Sequence, residues 1–396
     1  MKTASIISEY NPYHNGHAYH VRKTREITGS DYIISIMSGN FVQRGEPAIY
    51  DKYNRARSAA LDIDAVFELP VIFSISNAGD FAMGAVSILN SLGCVDSLSF
   101  GVETLDMNLF EKICSIITDE PSDYKSSLQD YIKEGNSYPL AREKALTDIL
   151  GDSVKDIISS PNNILALEYM SAIKKINSSI RICPIIRKGS YHNTDEKNGY
   201  LSASAIRTLI YDNKDIAPHV PSYDQELFKN ALPGTSVLDG LLNLRLSELD
   251  YDVIYHEMSK DMMNRLKSIP VPTSFSEAVQ LLKTKNITYT RSARALMNMI
   301  LRIKEDDFRE ITNEGYSHYA NLLSFRKESS TLLKTIQDNS EIPIINKKAD
   351  YNPESHAASL SWEYDKKATD IYNSLCFIET GVRKPKELSS NVSIVL

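Results

Sequence analysis

Over the first two hundred residues, apolar β-branched runs alternate with helical patterns, and no other feature narrows the fold of this 396-residue chain as far. The runs are Ala4–Tyr10, Tyr32–Ser38, Ala65–Pro70, Ser97–Gly101 and Ile180–Arg187. Each is rich in strand-forming side chains and closes on turn residues. The apolar spacing between them predicts helices over His17–Ile27, Tyr50–Leu61, Ala78–Leu92, Leu109–Ile117 and Asn162–Ile176. Strands that are apolar throughout and separated by helices imply a parallel sheet covered on both faces, an α/β fold of Rossmann-like plan. Ligands of such sheets collect beyond the carboxyl ends of the strands. The loops of interest therefore follow Tyr10, Ser38, Gly101 and Arg187.

Past about Asp215 the strand signal fades. Residues 251–266, 274–285, 290–304 and 321–336 all space apolar residues three and four apart, which predicts amphipathic helices. The expected plan is two domains: an α/β domain over 1–213 and a mainly α-helical domain over 214–396. The last residues, ending in Ser393-Ile394-Val395-Leu396, fit either a short strand or a loose tail.

Charge is distributed unevenly. The chain carries a net −7, yet residues 264–304 hold Arg265, Lys267, Lys283, Lys285, Arg291, Arg294, Arg302 and Lys304 against the lone acid Glu277. A basic segment on an acidic chain is either a solvated helix face or a phosphate-binding footprint. The four cysteines are scattered without a C-x-x-C pair, the pattern of reduced thiols in a cytoplasmic protein rather than a disulfide framework or zinc site. No apolar run has the roughly 18 residues of a membrane helix, and the N-terminal segment reads as a buried strand rather than a leader.

The first expected loop is Asn11-Pro12-Tyr13-His14-Asn15-Gly16-His17, with His20 one turn further on. This trio of imidazoles admits three readings. They could ligate a metal, although no Cys or suitably spaced acid completes a set. They could cap the helix and satisfy buried carbonyls. Or they could serve nucleotide chemistry: a strand, a glycine turn and a helix start converge N–H groups and the positive helix end on one point, where an anion binds. Gly16 lets a phosphate or base approach the backbone. His14 and His17, in the pattern H-x-G-H, could donate to phosphate oxygens. A second signal lies at Ser202-Ala203-Ser204-Ala205-Ile206-Arg207, a hydroxyl turn opening a helix with Arg207 on its first turn. Alone it reads as a helix cap; beside H-x-G-H it points to a triphosphate.

H-x-G-H after the first strand, with S-x-S-x-x-R near the end of the α/β region, resembles the HIGH-type nucleotidyltransferase superfamily. The segments "EYNPYHNGHAYH", "MSGNFVQRGEPA", "DKYNRARSAA", "FELP", "LSFGVE", "SPNNILALEY", "IIRKGSYH" and "LSASAIR" resemble, more narrowly, the tRNA(Met) cytidine acetate ligase family. "YTRSARALMNMIL" and "LLSFRK" extend the likeness more loosely. The resemblance implies an ATP-dependent ligase. It would activate acetate as acetyl-adenylate and pass the acetyl group to the wobble cytidine of elongator tRNA(Met). It also implies that ATP lies along Ile7, Ser8, Glu9, Tyr10, Asn11, Pro12, Tyr13, His14, Asn15, Gly16, His17, Ala18, Tyr19 and His20, with further contacts at Gly101, Asn162, Arg187 and Lys188. His14, His17, Ser204 and Arg207 would neutralise charge in the adenylation step, with Mg²⁺ on the phosphates.

Several assignments stay open at this level. Gln43 and Arg44 either hold acetate or a tRNA phosphate, or Arg44 pairs with Glu46 to shape the loop. Arg55 and Arg57, on a predicted helix, read as solvated or RNA-facing. His192 reads as structural. Arg291 and Arg294, three apart on one predicted helix, are the candidate contacts to tRNA phosphates. A transferase adenylylating or cytidylylating a small metabolite, or a non-catalytic RNA-binding protein, would carry some of the same features.

Overall fold

The computed structural model describes residues 1–187, 200–221, 228 and 230–395. Its centre is an eight-stranded sheet built from β1 (Thr3–Ser8), β2 (Tyr32–Ser38), β5 (Ala65–Leu69), β6 (Ser97–Val102), β7 (Arg181–Ile186), β8 (Ala320–Arg326), β9 (Ile344–Ile345) and β10 (Ser393–Val395). A separate two-residue hairpin pairs β3 (Phe41–Val42) with β4 (Glu46–Pro47). The strand order is β10-β8-β5-β2-β1-β6-β7, with β9 beside β8. β1, β2, β5, β6 and β7 run parallel, as their apolar runs predict.

Side-chain alternation splits the core across the two faces. Ile33, Met37 and Val66 pack with Val21, Ala56 and Ala59 of the first two helices, α1 (Asn15–Thr28) and α2 (Lys52–Ala59). Ile34, Ile36, Ala65, Phe67 and Leu69 point the other way, into a larger cluster. The helices Ala78–Ser91 and Pro161–Lys175 contribute Phe81, Ala85, Ala166 and Leu167 to it.

The C-terminal half differs from the sequence expectation. Residues 321–336, expected as one helix, are β8 followed by the helix Ser330–Asn339. β8 pairs antiparallel with β5, and β10 extends the same sheet, so strands from both sides of a boundary at 213/214 belong to one sheet. Of residues 251–266, only Lys260–Leu266 are helical. The late chain is tied to the early chain by a buried ion cluster. Lys52 Nζ, fully buried on α2, lies 2.7 Å from Glu68 of β5 and 2.9 Å from Glu387. Removing one member of such a buried cluster would leave an uncompensated charge inside the protein, which is strongly destabilising. No helix among the described residues is long and apolar enough to cross a membrane.

Candidate active site

The chain between β1 and α1 is held in a strained bend. Tyr10 adopts φ 45°, a region that costs a bulky residue on the order of 1–3 kcal/mol and persists only where its surroundings hold it. They do: its ring is buried, edge-on to Tyr13 at 5.1 Å and to His17 at 4.9 Å, and Ser35 Oγ donates to its hydroxyl at 3.2 Å. The Asn11–Pro12 peptide is cis.

His14 is the N-cap of α1. Its Nδ1 accepts from the Gly16 N–H at 3.0 Å, while His17 Nδ1 accepts from the His14 N–H at 3.3 Å. This reciprocal pair is a capping box built from two imidazoles instead of Ser and Glu. An Nδ1 that accepts leaves the ring proton on Nε2. Neither Nε2 makes a hydrogen bond among the described residues, so each ring keeps one donor in hand. The two ring centroids are 3.9 Å apart. Burial, reinforced by the Arg187 and Arg207 charges, pushes the His14 pKa down to about 3. Burial and the neighbouring His14 hold His17 well below the usual imidazole range, and burial beside Arg187 holds His20 at about 4. All three are neutral at pH 7. Gly16 matters for the box: a Cβ there would sit 2.7 Å from the His14 ring.

His14 and His17 open onto a cleft of about 440 Å³ at the carboxyl ends of the central strands. Ile7, Ser8, Glu9, Tyr10, Asn11, Gly16, Tyr19 and His20 also line it, as do Gly101, Asn162, Arg187, Ser204 and Arg207. The resemblance had joined all of these. Pro12, Tyr13, Asn15 and Ala18 were expected with them and are not in the lining. The Tyr13 hydroxyl donates to Asp62 at 2.7 Å, Asn15 Nδ2 donates to the Pro218 carbonyl, and Ala18 packs beneath the sheet. Lys188 and His192 lie outside the described residues.

On the β6–β7 side, the Arg187 guanidinium donates to Asn162 Oδ1 at 3.1 Å, and Asn162 Nδ2 donates to Glu103. Gly101 is glycine because Arg187 crosses it: a Cβ there would meet Arg187 Cγ at 2.9 Å. Facing α1, the helix Ala203–Tyr211 is capped by Ser202, whose Oγ accepts from Ala205 N–H at 3.2 Å. Its first N–H groups, Ala203 and Ser204, have no intrahelical partner. Arg207, almost buried, donates to the Asn11 carbonyl at 2.9 Å and to Ser204 Oγ at 3.3 Å, and lies 3.5 Å from Glu46. The two motifs the sequence pairs are thus joined by one guanidinium.

Other positions depart from expectation. Arg55 is not solvated. It is 2% exposed and donates to the carbonyls of Tyr50, Glu9, Ser38 and Gly39, stitching the loops after β1 and β2 together. Arg57 is exposed. Arg294 is not on the outer surface beside Arg291: its side chain is 12% exposed, pairs with Glu257 at 2.8 Å and lines the cleft. Arg291 is exposed, as are Arg265, Lys267, Lys283, Lys285, Arg302 and Lys304. The cleft lining adds Phe81, Phe100, Tyr169, Ile185, Tyr200 and Leu201, which sequence reasoning did not single out. Their apolar type signals only core. Gln43 and Arg44, at the tip of the β3–β4 hairpin, line it too. Among the described residues no three His, Cys, Asp or Glu side chains are grouped to hold a metal ion.

A profile of the family described as HIGH Nucleotidyl Transferase matches residues 1–386. A protein of Thermoanaerobacter sp. (strain X514) named tRNA(Met) cytidine acetate ligase is 37% identical over 384 residues, covering 94% of this chain and 95% of that one. A Clostridium perfringens protein of the same name is 38% identical over 397 residues, covering 95% and 96%. The crystal structure of Thermotoga maritima TmcAL in its apo form superposes with a TM-score of 0.92 at 27% identity over the whole of both chains. The form of that protein bound with alpha-thio ATP superposes at 0.88. With this cleft, these strands and this end-to-end likeness, the chain belongs to the tRNA(Met) cytidine acetate ligase family of the HIGH nucleotidyl transferases.

Proposed function

We propose that the protein is an ATP-dependent ligase that activates acetate as acetyl-adenylate and transfers the acetyl group to the exocyclic amine of the wobble cytidine of elongator tRNA(Met), forming N4-acetylcytidine. The observation that carries this reading is the pair of neutral imidazoles, His14 and His17, each with an Nε2 that makes no hydrogen bond among the described residues, at the head of α1 in a cleft shared with Ser204 and Arg207. The end-to-end likeness to proteins named for that reaction, and to a structure holding an ATP analogue, supports it.

In the first step a carboxylate oxygen of acetate attacks the α-phosphorus of ATP. The bond from that phosphorus to the bridging oxygen breaks, and pyrophosphate leaves. Catalysis here is alignment plus stabilisation of charge growing on the phosphate oxygens. The Nε2–H groups of His14 and His17 suit that task. They donate without a proton being gained or lost, and their Nδ1 bonds to the backbone fix the direction of donation. The N–H groups of Ala203 and Ser204, the Ser204 hydroxyl and Arg207 face the departing pyrophosphate. The adenosine takes the β6–β7 side, where Asn162 and the Arg187 side chain laid across Gly101 offer polar groups. Mg²⁺, with no grouped carboxylates to hold it among the described residues, would ride on the phosphates themselves and offset their charge.

In the second step the cytidine amine attacks the acetyl carbon, the carbon–oxygen bond to AMP breaks, and the amine loses a proton. That amine is conjugated into the base and is a weak nucleophile, so prior activation of the acid is needed. The base must be unstacked to reach the cleft. The exposed basic residues Lys283, Lys285 and Arg291 are the proposed contacts to the RNA backbone. Incubation with ATP, labelled acetate and bulk tRNA tests the whole reading: base-stable label appears in tRNA and requires ATP. Label from acetyl-CoA but not from acetate plus ATP would contradict it.

A further inference from the structure

The cleft is divided by the end of β1. Gly101, Asn162 and Arg187 belong to β6, to the helix packed on it and to the end of β7, all on one side of β1 in the sheet order. His14, His17, Ser204 and Arg207 sit over its end. The remaining wall comes from the other side, from the chain that follows β2: Gln43 and Arg44 on the hairpin, joined by Arg294. The proposed reaction has a second small substrate, whose carboxylate must attack the α-phosphorus in line with and opposite the departing pyrophosphate. The β2-side wall is the part of the cleft that the proposed nucleoside and pyrophosphate contacts leave unused.

Arg294 is built to meet it. Its Nε is held 2.8 Å from Glu257 Oε2, while its two Nη groups make no hydrogen bond among the described residues. Glu257 is 6% exposed in its side chain and sits at φ 61°, a conformation that a non-glycine residue takes only when its surroundings require it. Its Oε1 is buried and has no hydrogen-bond partner among the described residues. The hairpin fixes Arg294 from the opposite flank. Gly45, at φ 75°, presses so close that a Cβ there would lie 2.5 Å from the backbone nitrogen of Arg294. The next residue, Glu46, reaches across to Arg207. One short hairpin thus sets the spacing between the arginine over the phosphates and the arginine on the β2 side.

We infer that Arg294, oriented by Glu257 and seated against the Gln43–Gly45 turn, is the binding site for the carboxylate of the acid substrate. A guanidinium held through Nε presents its Nη edge, which matches a carboxylate's two oxygens. With one acid already balancing the arginine, the site suits a monoanion better than a triphosphate. Its near-complete burial suits a small molecule better than an RNA phosphate.

This rests on the proposed reaction, and the test separates the two. ATP–pyrophosphate exchange is measured on the full chain without tRNA, with acetate varied. The wild type must exchange only when acetate is present; if it exchanges without acetate or not at all, the proposed reaction fails and this inference with it. Given that exchange, Arg294→Gln raises the acetate KM tenfold or more, with ATP and tRNA dissociation constants within twofold of wild type. Arg294→Lys keeps the charge and most of the volume while losing the fork, and raises the acetate KM by an intermediate factor. An unchanged acetate KM in a folded variant, or a loss that falls on ATP or tRNA instead, overturns the inference.

Discussion

His14 and His17 stand with ring centroids 3.9 Å apart, and each gives Nδ1 to a backbone N–H at the start of the same helix. The arrangement makes one pair of side chains both cap and donor, so fold and chemistry share the same atoms. The two roles can be separated. Asparagine is among the best N-caps, whereas alanine is a poor one. His14→Ala is expected to lose about 1 kcal/mol of stability and on the order of 10²-fold or more in ATP–pyrophosphate exchange. His14→Asn should recover the stability and not the exchange. Urea unfolding and the exchange assay, run on both variants, check this.

Burial of the imidazoles also fixes a pH dependence. A histidine with a folded pKa near 3 or 4 binds no proton when folded at pH 5.5, whereas the unfolded chain, with a pKa near 6.5, does. Stability is therefore full above about pH 6.5 and is lost as pH falls toward the folded values. By pH 5.5 the loss is on the order of 1 kcal/mol for each buried imidazole. Urea titrations between pH 5 and 8 should show the slope for the ligand-free protein, and replacing His20 by Gln should flatten it. Because the phosphates are anionic, bound ATP should raise these pKa values, so binding takes up protons in calorimetry below pH 6.

Arg55 carries the loops of the site without entering it. Its guanidinium satisfies carbonyls of Glu9, Ser38 and Gly39 at the carboxyl ends of β1 and β2. Arg55→Met leaves those acceptors buried and unpaired, a loss expected to reach at least about 3 kcal/mol. Arg57→Ala, two residues on and exposed, should stay within about 0.5 kcal/mol of wild type. Chemical denaturation of the two variants compares them directly.

The strands β1, β2, β5, β6 and β7 were legible because each is an apolar run cut off by turn residues. The sheet's other flank was not. Ala320–Arg326 runs on toward a helix with no Gly or Pro between, and its apolar residues fit helical spacing as well as a strand. What makes it a strand is β5, some 250 residues earlier, a partner that local propensity does not see. The histidine turn and the Ser204–Arg207 motif were legible through their spacing. The solvated reading of Arg55 fails because a charged residue on a helix is expected in solvent, and the same expectation conceals that the Arg294 side chain turns into the cleft wall. Both are held inside by backbone carbonyls or an acid supplied from distant segments.

The exposed basic residues lead to a separate expectation. Arg291, on the first turn of the helix Tyr289–Leu301, and Lys283 and Lys285 just before it lie outside the cleft. Arg291→Glu combined with Lys285→Glu is expected to weaken tRNA binding and to lower the salt slope of log Kd by about one to two units. Acetate-dependent exchange should be unchanged. Filter binding across a salt series checks the first, and unchanged affinity would remove these residues from the RNA surface.

The central claim is that acetate attacks the α-phosphorus of ATP in the cleft opened by His14 and His17. Acetate labelled with oxygen-18 in both carboxylate positions follows the attacking atom through one complete turnover with tRNA. The claimed route leaves one heavy oxygen on AMP and none in pyrophosphate. Unlabelled AMP, or heavy oxygen appearing in inorganic phosphate, would contradict it.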